Sequence, residues 1–156
     1  MMPEMHCPCG QGSYAACCQP LHAGLAQAQS AQQLMRSRYS AFAKQEIDYI
    51  VKTTALGQQP ALDVPAIADW SKSNRWLRLE IIQANEKLDK AHAQVEFKAH
   101  YHDGQQAQAH HEVSHFVRQG GAWYFLDPTA ALQTGMKQPC ICASGKKFKQ
   151  CCAQYL

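Results

Sequence analysis

The chain is 156 residues long, carries a formal charge of +3 and has 17% charged residues. This length is typical of one domain of ordinary size, with a core large enough to fold unaided. No apolar run approaches the ~20 residues of a membrane span, and the first residues lack the basic and apolar regions of a signal peptide. The sequence therefore predicts no membrane span and a cytoplasmic protein whose thiols stay reduced.

Four cysteines lie close together at the start of the chain. Cys7, Cys9, Cys17 and Cys18 follow the pattern C-x-C, a short loop, and then C-C. Four thiolates gathered in this way suit one tetrahedral Zn²⁺ with Zn–S distances of about 2.3 Å. We therefore predict a zinc knuckle over residues 1–22.

The middle of the chain, residues 30–128, begins with helical patterns. Ser30 and Gln33 match a capping box at the start of the first helix. Two further helices are predicted over residues 47–53 and 65–73. The first helix has an apolar face that should lie against the core, formed by Met35, Tyr39 and Phe42.

Two arginines stand on this first predicted helix. Arg36 and Arg38 are expected to form an exposed pair on the helix surface. The alternative is that one of them contacts an anion or pairs with Glu112, which lies on a predicted strand.

After residue 74 the hydrophobic period changes from that of a helix to that of a strand. Four strands are predicted, and the last three are joined by turns at residues 103–104 and 120–121. Helices followed by a meander of four antiparallel strands predict an α+β fold, with the helices packed on a curved sheet. The first strand alternates charged residues with apolar ones, namely Leu77, Leu79 and Ile81.

The two turns set a trial register for the last three strands. Phe97 then lies opposite His110, and Phe116 lies opposite Phe125. One face of the sheet is mostly apolar and aromatic, and we expect it to pack under the helices. Its polar minority consists of His110, Glu112, Ser114 and Asp127.

These polar residues leave two interpretations open. Glu112 or Asp127 could act as a general base in a buried pocket, with His110 as its partner. The favoured alternative is that they are polar groups whose hydrogen bonds are satisfied within the core or at strand ends.

The end of the chain, residues 138–156, repeats the cysteine pattern. Cys140 and Cys142 form its C-x-C, and Cys151 and Cys152 form its C-C. Disulfides and redox thiols are the alternatives, but the 121 residues between the two clusters contain no cysteine and adjacent cysteines rarely bridge each other. We therefore predict two Zn²⁺ ions in closed, structural sites, since four sulfur ligands leave no position for a reactive water.

Zinc would also change the charge of the protein. Each four-thiolate site carries a net charge of about −2, so two sites would bring the formal +3 to about −1. The total charge therefore gives no argument for binding a polyanion.

The last cysteine segment closely resembles the SEC-C zinc motif, known from the tail of the protein-export motor SecA. The N-terminal copy keeps the four cysteines but has seven residues between its inner pair where the C-terminal copy has eight, and it lacks the lysines. The matching positions in the C-terminal copy are Cys140, Cys142, Ser144, Gly145, Lys146, Lys147, Phe148, Lys149, Cys151 and Cys152.

In SecA the resembling motif contacts an export chaperone and the ribosome. The resemblance implies that Lys146, Lys147, Phe148 and Lys149 dock an acidic protein surface or RNA. The alternative is that the lysines balance the thiolate charge while Phe148 packs beneath the metal site.

Two such knuckles around a middle that contains the segment LMRSRYSAF, residues 34–42, resemble the bacterial YchJ-like family. The resemblance implies a middle with the cone-shaped fold of nuclear transport factor two, and it carries over no established activity. The chain is thus expected to be a zinc-binding adaptor and not an enzyme. The alternative is a small-molecule binder or enzyme that uses a pocket on the concave face of the sheet.

Overall fold

The computed structural model describes residues 5–130 and 134–156, and it confirms the α+β class. Four helices precede one antiparallel sheet in which neighbouring strands are consecutive in sequence. The helices are α1 (Gln19–His22), α2 (Ala31–Lys44), α3 (Ile47–Lys52) and α4 (Val64–Ser73). The strands are β1 (Arg75–Asn85), β2 (His92–His102), β3 (Ala107–Gln119) and β4 (Ala122–Leu126). Within the described ranges, no helix has the length and apolar character needed to cross a bilayer.

Helix α2 begins where the capping pattern predicts. The Ser30 hydroxyl accepts a hydrogen bond from the Gln33 backbone N–H at 3.0 Å, which satisfies one donor of the first turn. The Glu86 carboxylate, from the start of the β1–β2 connection, accepts two more, from Ala31 N at 2.8 Å and Gln32 N at 3.0 Å. The start of the helix is thereby fixed to the sheet.

The main core lies between α2 and one face of the sheet. The predicted apolar face of α2 is confirmed, because Met35 and Tyr39 are buried and Phe42 packs against the core cluster. Phe116 and Val95 supply fully buried side chains from the sheet. The long helix is therefore held by burial of apolar surface along one side.

The register of the β3–β4 hairpin is confirmed, whereas that of the β2–β3 hairpin is wrong by two residues. Phe116 pairs with Phe125 as predicted, but Phe97 pairs with Glu112 instead of His110. The cause is the turn, because the Asp103 carboxylate accepts hydrogen bonds from two backbone N–H groups at 2.8 Å and widens the loop to residues 103–106. A shift of two residues keeps every side chain on its predicted face.

Strand β1 departs from simple alternation. Its pairing with β2 shifts between Trp76 and Arg78, and Leu77 is 45% exposed, so the predicted alternation does not hold at Leu77. Trp76 turns inward instead and packs edge-on against Tyr39 at a ring separation of 5.8 Å. An irregular strand pairing of this kind re-aims side chains, which a strict period of two does not anticipate.

Candidate metal centres

The N-terminal knuckle is a tight loop closed by backbone hydrogen bonds. Cys7 N donates to Gly12 O at 2.7 Å, and Gly10 N donates to Cys7 O at 2.9 Å. Gly10 has a φ of +89°, a conformation that glycine adopts without strain. The chain then makes a short 3₁₀ turn over Tyr14–Ala16, which delivers Cys17 and Cys18 to the same point.

The C-terminal knuckle is built in the same way. Cys140 N donates to Lys146 O at 2.8 Å, and Ala143 N donates to Cys140 O at 3.1 Å. A 3₁₀ turn over Phe148–Gln150 again precedes the adjacent cysteines. The extra residue lies within the loop, so both knuckles bring four cysteines together despite their different lengths. Ala143 takes the place of Gly10 and has a φ of +67°.

The sulfur atoms of each group have the spacing that a tetrahedral metal requires. A Zn–S distance of about 2.3 Å gives tetrahedral S–S edges of about 3.8 Å. In the N-terminal group, Cys17 Sγ lies 3.5 Å from Cys9 Sγ and 3.8 Å from Cys18 Sγ. In the C-terminal group, Cys151 Sγ lies 3.6 Å from Cys142 Sγ and 3.9 Å from Cys152 Sγ.

The remaining geometry agrees with metal binding and not with disulfides. All four sulfurs of each group lie within 4.8 Å of one another, and all eight cysteines are free thiols. Only Cys17 is partly exposed, and the other seven are buried. Each group could therefore hold one metal ion.

Within each group the thiols ionise unequally. The pKa of Cys9 falls to about 5, chiefly because the Cys18 thiol donates a hydrogen bond to it. The pKa of Cys142 falls to about 4, chiefly because Cys152 donates in the same way. These same contacts raise the pKa of Cys18 and that of Cys152. Cys9 and Cys142 thus offer ready thiolates, and a metal ion would displace the protons of Cys18 and Cys152.

Helix α2 and its neighbours support the N-terminal knuckle. The Arg36 guanidinium donates to the Cys9 carbonyl at 3.0 Å, and the Ser40 hydroxyl lies 3.4 Å from Cys7 Sγ. Tyr14 packs against the cysteine cluster, and its hydroxyl donates to His22 Nδ1 at 2.7 Å. Arg36 therefore has a structural contact and is not a free surface residue.

The C-terminal knuckle packs into a second apolar cluster. Ile141 and Phe148 are buried against three residues of the middle segment, namely Ala55, Val117 and Leu126. Gly57 lies directly against the knuckle, and its backbone N–H donates to Ile141 O at 2.7 Å. The knuckle is therefore part of the folded body and not a free appendage.

A histidine from the sheet touches the C-terminal sulfurs. His92 is 3% exposed, and its Nε2 lies 3.3 Å from Cys152 Sγ and 3.9 Å from Cys151 Sγ. Asp89 holds the other ring nitrogen at 2.8 Å and accepts a hydrogen bond from the Tyr155 hydroxyl at 2.7 Å. A hydrogen bond between a buried histidine and a cysteine sulfur helps to fix the orientation of that sulfur.

Sequence reasoning missed this histidine. His92 lies 60 residues before Cys152 and outside the cysteine pattern. The D-x-x-H spacing of Asp89 and His92 is a weak local signal for a paired histidine, but nothing in it points to the sulfurs.

Replacing His92 with alanine is expected to weaken metal binding by the C-terminal cysteines by about 10- to 100-fold, because its hydrogen bond to Cys152 Sγ is lost. Competition for zinc against a chelator of known affinity measures this effect. His115→Ala is the matched control, since His115 stacks on Tyr155 at 5.4 Å without a contact to sulfur. Equal zinc affinities in the two variants would contradict the role given to His92.

The lysines and the aromatic residue of the C-terminal motif are placed differently. Lys146, Lys147 and Lys149 are exposed, whereas Phe148 is 5% exposed and packs beneath the knuckle. The prediction that Phe148 takes part in docking is therefore wrong, because its ring is needed to fill the apolar cluster.

The polar residues predicted for the sheet face do share one location. His110, Glu112, Ser114 and Asp127 all line a cavity of about 170 Å³ beneath the helices. Arg38 also lines it and is only 6% exposed, so the expectation of an exposed arginine is wrong. Arg38 points from α2 toward α3, and its guanidinium donates a hydrogen bond to the backbone carbonyl of Ile50 in α3.

Comparison with known proteins decides the family. A family model described as the middle NTF2-like domain of YchJ matches residues 30–128, and a model of the SEC-C motif matches residues 136–154. A UPF0225 protein from Actinobacillus succinogenes is 45% identical over 151 residues, which cover 96% of this chain and 97% of that protein. The chain belongs to the YchJ family. The resemblance carried by the cysteine clusters and by residues 34–42 is thereby confirmed.

Other YchJ-family relatives and solved structures agree. A UPF0225 protein from Haemophilus influenzae strain PittEE is 48% identical over 96% of this chain and 93% of its own length. The crystal structure of a SEC-C motif containing protein from Psychrobacter arcticus is 45% identical, with a TM-score of 0.90 over 97% of each chain. The solution structure of a SEC-C motif containing protein from Rhodopseudomonas palustris is 37% identical, with a TM-score of 0.73 over 82% of this chain and all of that one.

Proposed function

We propose that the eight cysteines hold two structural Zn²⁺ ions, one in each knuckle. The sulfur spacing of 3.5 to 3.9 Å supports this assignment, because it is close to the tetrahedral edge that Zn–S bonds require. Four sulfur ligands complete the coordination of zinc, so neither ion would activate water. Reduced thiols of this kind agree with a cytoplasmic protein. The division into knuckles over 1–22 and 138–156 around a middle domain over 30–128 belongs to the same proposal.

We further propose that the protein is an adaptor whose C-terminal knuckle docks an acidic protein surface. The observation that carries this proposal is the exposure of three lysines on a knuckle that is itself fixed in the core. A groove beside the knuckle adds Lys90 and Arg118 to Lys146 along its walls. Positive charges held on a rigid support steer and orient a partner of opposite charge.

The burial of Phe148 favours protein over RNA as the partner. Single-stranded RNA is bound through aromatic side chains on which bases stack, in addition to positive charge. Phe148 lies under the knuckle and offers no such platform. The remaining lysines supply charge alone, which suits carboxylates on a protein surface.

Reversing the charge of the knuckle lysines tests this role. We expect the variant Lys146→Glu, Lys147→Glu, Lys149→Glu to lose its partner from a cell lysate by at least about tenfold relative to the natural chain, because complementary charge becomes repulsive. The measurement is affinity capture with the full chain, followed by quantitative mass spectrometry and by rebinding of the purified partner.

The matched control reverses three exposed lysines elsewhere, Lys52→Glu, Lys72→Glu and Lys87→Glu. This control has the same total charge and should keep the partner. Equal loss in both variants, or a partner that leaves after RNase treatment, would contradict docking of an acidic protein by the C-terminal knuckle.

A further inference from the structure

The cavity between the helices and the sheet has the size of a small cyclic ligand. Its volume is about 170 Å³. For comparison, an engineered cavity of about 150 Å³ takes up benzene. Most of its wall is apolar or aromatic, including Tyr39, Phe42, Ile67, Trp70, Trp76 and Phe97. The space suits one six-membered ring with a small substituent.

The cavity also contains a buried cation. Arg38 is 6% exposed, and its guanidinium lies 4.3 Å from the centre of the Phe125 ring. Burial lowers the pKa of Arg38 to about 10, so the side chain stays charged at neutral pH. A charge taken out of water is costly unless it is matched by an opposite charge or by hydrogen bonds.

Within the described residues, hydrogen bonds reach only one end of this guanidinium. Nη1 donates to Ile50 O at 2.8 Å, to Thr53 Oγ1 at 2.7 Å and to Thr54 Oγ1 at 3.4 Å. A guanidinium has five N–H donors, and two of them belong to Nη1. Among residues 5–130 and 134–156, Nη2 and Nε donate no hydrogen bond, and Arg38 forms no ion pair. In the same ranges, every fully buried polar side-chain atom has a hydrogen-bond partner. These two nitrogens therefore border accessible space.

The two carboxylates of the cavity are engaged with other groups. Glu112 accepts a hydrogen bond from Ser114 Oγ at 3.1 Å and lies 3.5 Å from His110 Nε2. Asp127 accepts from the Thr129 backbone N–H at 2.8 Å and from its hydroxyl at 2.6 Å. They do not form ion pairs with Arg38, and their charge opposes the entry of any anion. A carboxylate must therefore be held by direct hydrogen bonds to Arg38, and a second negative group is disfavoured further.

A surface groove beside helix α4 adjoins the cavity. The groove and the cavity share five lining residues, namely Phe42, Leu62, Ile67, Trp70 and Asp127. The aromatic end of the cavity is thus adjacent to solvent, while Arg38 lies with α3 at its inner side.

We propose that this cavity binds a small aromatic monocarboxylate. Its carboxylate accepts hydrogen bonds from Nη2 and Nε of Arg38, which match a planar carboxylate in geometry and charge. Its ring occupies the aromatic part of the cavity. The cavity shares no residue with the knuckle lysines, so this proposal is tested independently of the proposed docking role.

Titration of the full chain with benzoate tests the proposal. The indole N–H signals of Trp70 and Trp76, which line the cavity, report binding by NMR. We expect a saturable shift with a dissociation constant of about 1 mM or lower. Benzyl alcohol has the same ring without the charge, and terephthalate carries a second carboxylate; each should bind at least about tenfold more weakly.

Two variants locate the site. Ala99 lines the cavity, so Ala99→Leu should fill it and abolish benzoate binding, whereas Ala109→Leu places the same change at an exposed position of the sheet and should not. Arg38→Met keeps the length of the side chain and should remove the preference for benzoate over benzyl alcohol.

Three results would each overturn the proposal. They are the absence of saturable benzoate binding, equal binding of benzyl alcohol and benzoate by the natural chain, and benzoate binding by Ala99→Leu that equals that of Ala109→Leu. None of the three depends on the folding of the Arg38→Met variant.

Discussion

Replacing Cys142 with serine is expected to reduce the zinc content from two equivalents per chain to one and to lower the free energy of unfolding by about 3 kcal/mol or more. The reason is the position of the C-terminal knuckle. Its cysteines belong to one apolar cluster with Val117 and Leu126 of the sheet, so loss of the metal also uncovers part of the core. Elemental analysis and urea unfolding measure the two effects.

The N-terminal knuckle provides the comparison. Cys9→Ser should also remove one equivalent of zinc, but with a smaller loss of stability. Within the described ranges, the hydrophobic residues packed against this knuckle's cluster are Tyr14, Cys17 and Leu79, which are only partly buried. Ser144→Ala, close to the C-terminal sulfurs but not a zinc ligand, should retain both ions. The structural-zinc assignment would be refuted if the natural chain held far fewer than two zinc equivalents, or if its cysteines formed disulfides with one another.

Replacing Gly57 with alanine is expected to destabilise the fold by about 1–3 kcal/mol while both metal ions remain bound. A Cβ at this position would lie 2.8 Å from Ile141 Cα and 2.9 Å from Ile141 Cβ, closer than carbon atoms can approach. The knuckle would have to move away from the middle domain, although its own four cysteines are untouched. The midpoint of urea unfolding and the zinc content report these two outcomes.

Gly135 offers the matched control. A Cβ at Gly135 would meet the Gln138 side chain at 3.5 Å, an ordinary van der Waals contact. Gly135→Ala should therefore change stability little. A Gly57→Ala variant as stable as Gly135→Ala would show that the knuckle and the middle domain are not packed as described.

Features that depend on neighbouring residues could be predicted from the sequence. The Ser30 cap depends on a hydrogen bond from a backbone N–H three residues further along the chain. The Phe116–Phe125 pairing depends on a two-residue turn that fixes the register. The two cysteine groups follow from the coordination chemistry of four closely spaced thiols. In each case the interacting residues lie within about twelve positions of one another.

Features that depend on distant residues could not be predicted in the same way. Arg38 is buried because helix α3 supplies acceptors for it, which no pattern within α2 reveals. His92 reaches the sulfurs of a knuckle that lies 60 residues further along the chain. The β2–β3 register is an intermediate case, since the two-residue turn was the stronger local signal but the Asp103 carboxylate stabilises a wider loop.

The packing of the C-terminal knuckle has a consequence for anyone who isolates pieces of this protein. The match to the middle-domain family model ends at residue 128, yet the apolar cluster that contains Val117 and Leu126 is completed by Ile141 and Phe148. A fragment that stops at the domain boundary would present these side chains to water, and exposed apolar patches of this kind promote self-association. We therefore expect a stable fragment to include the C-terminal knuckle in addition to residues 30–128.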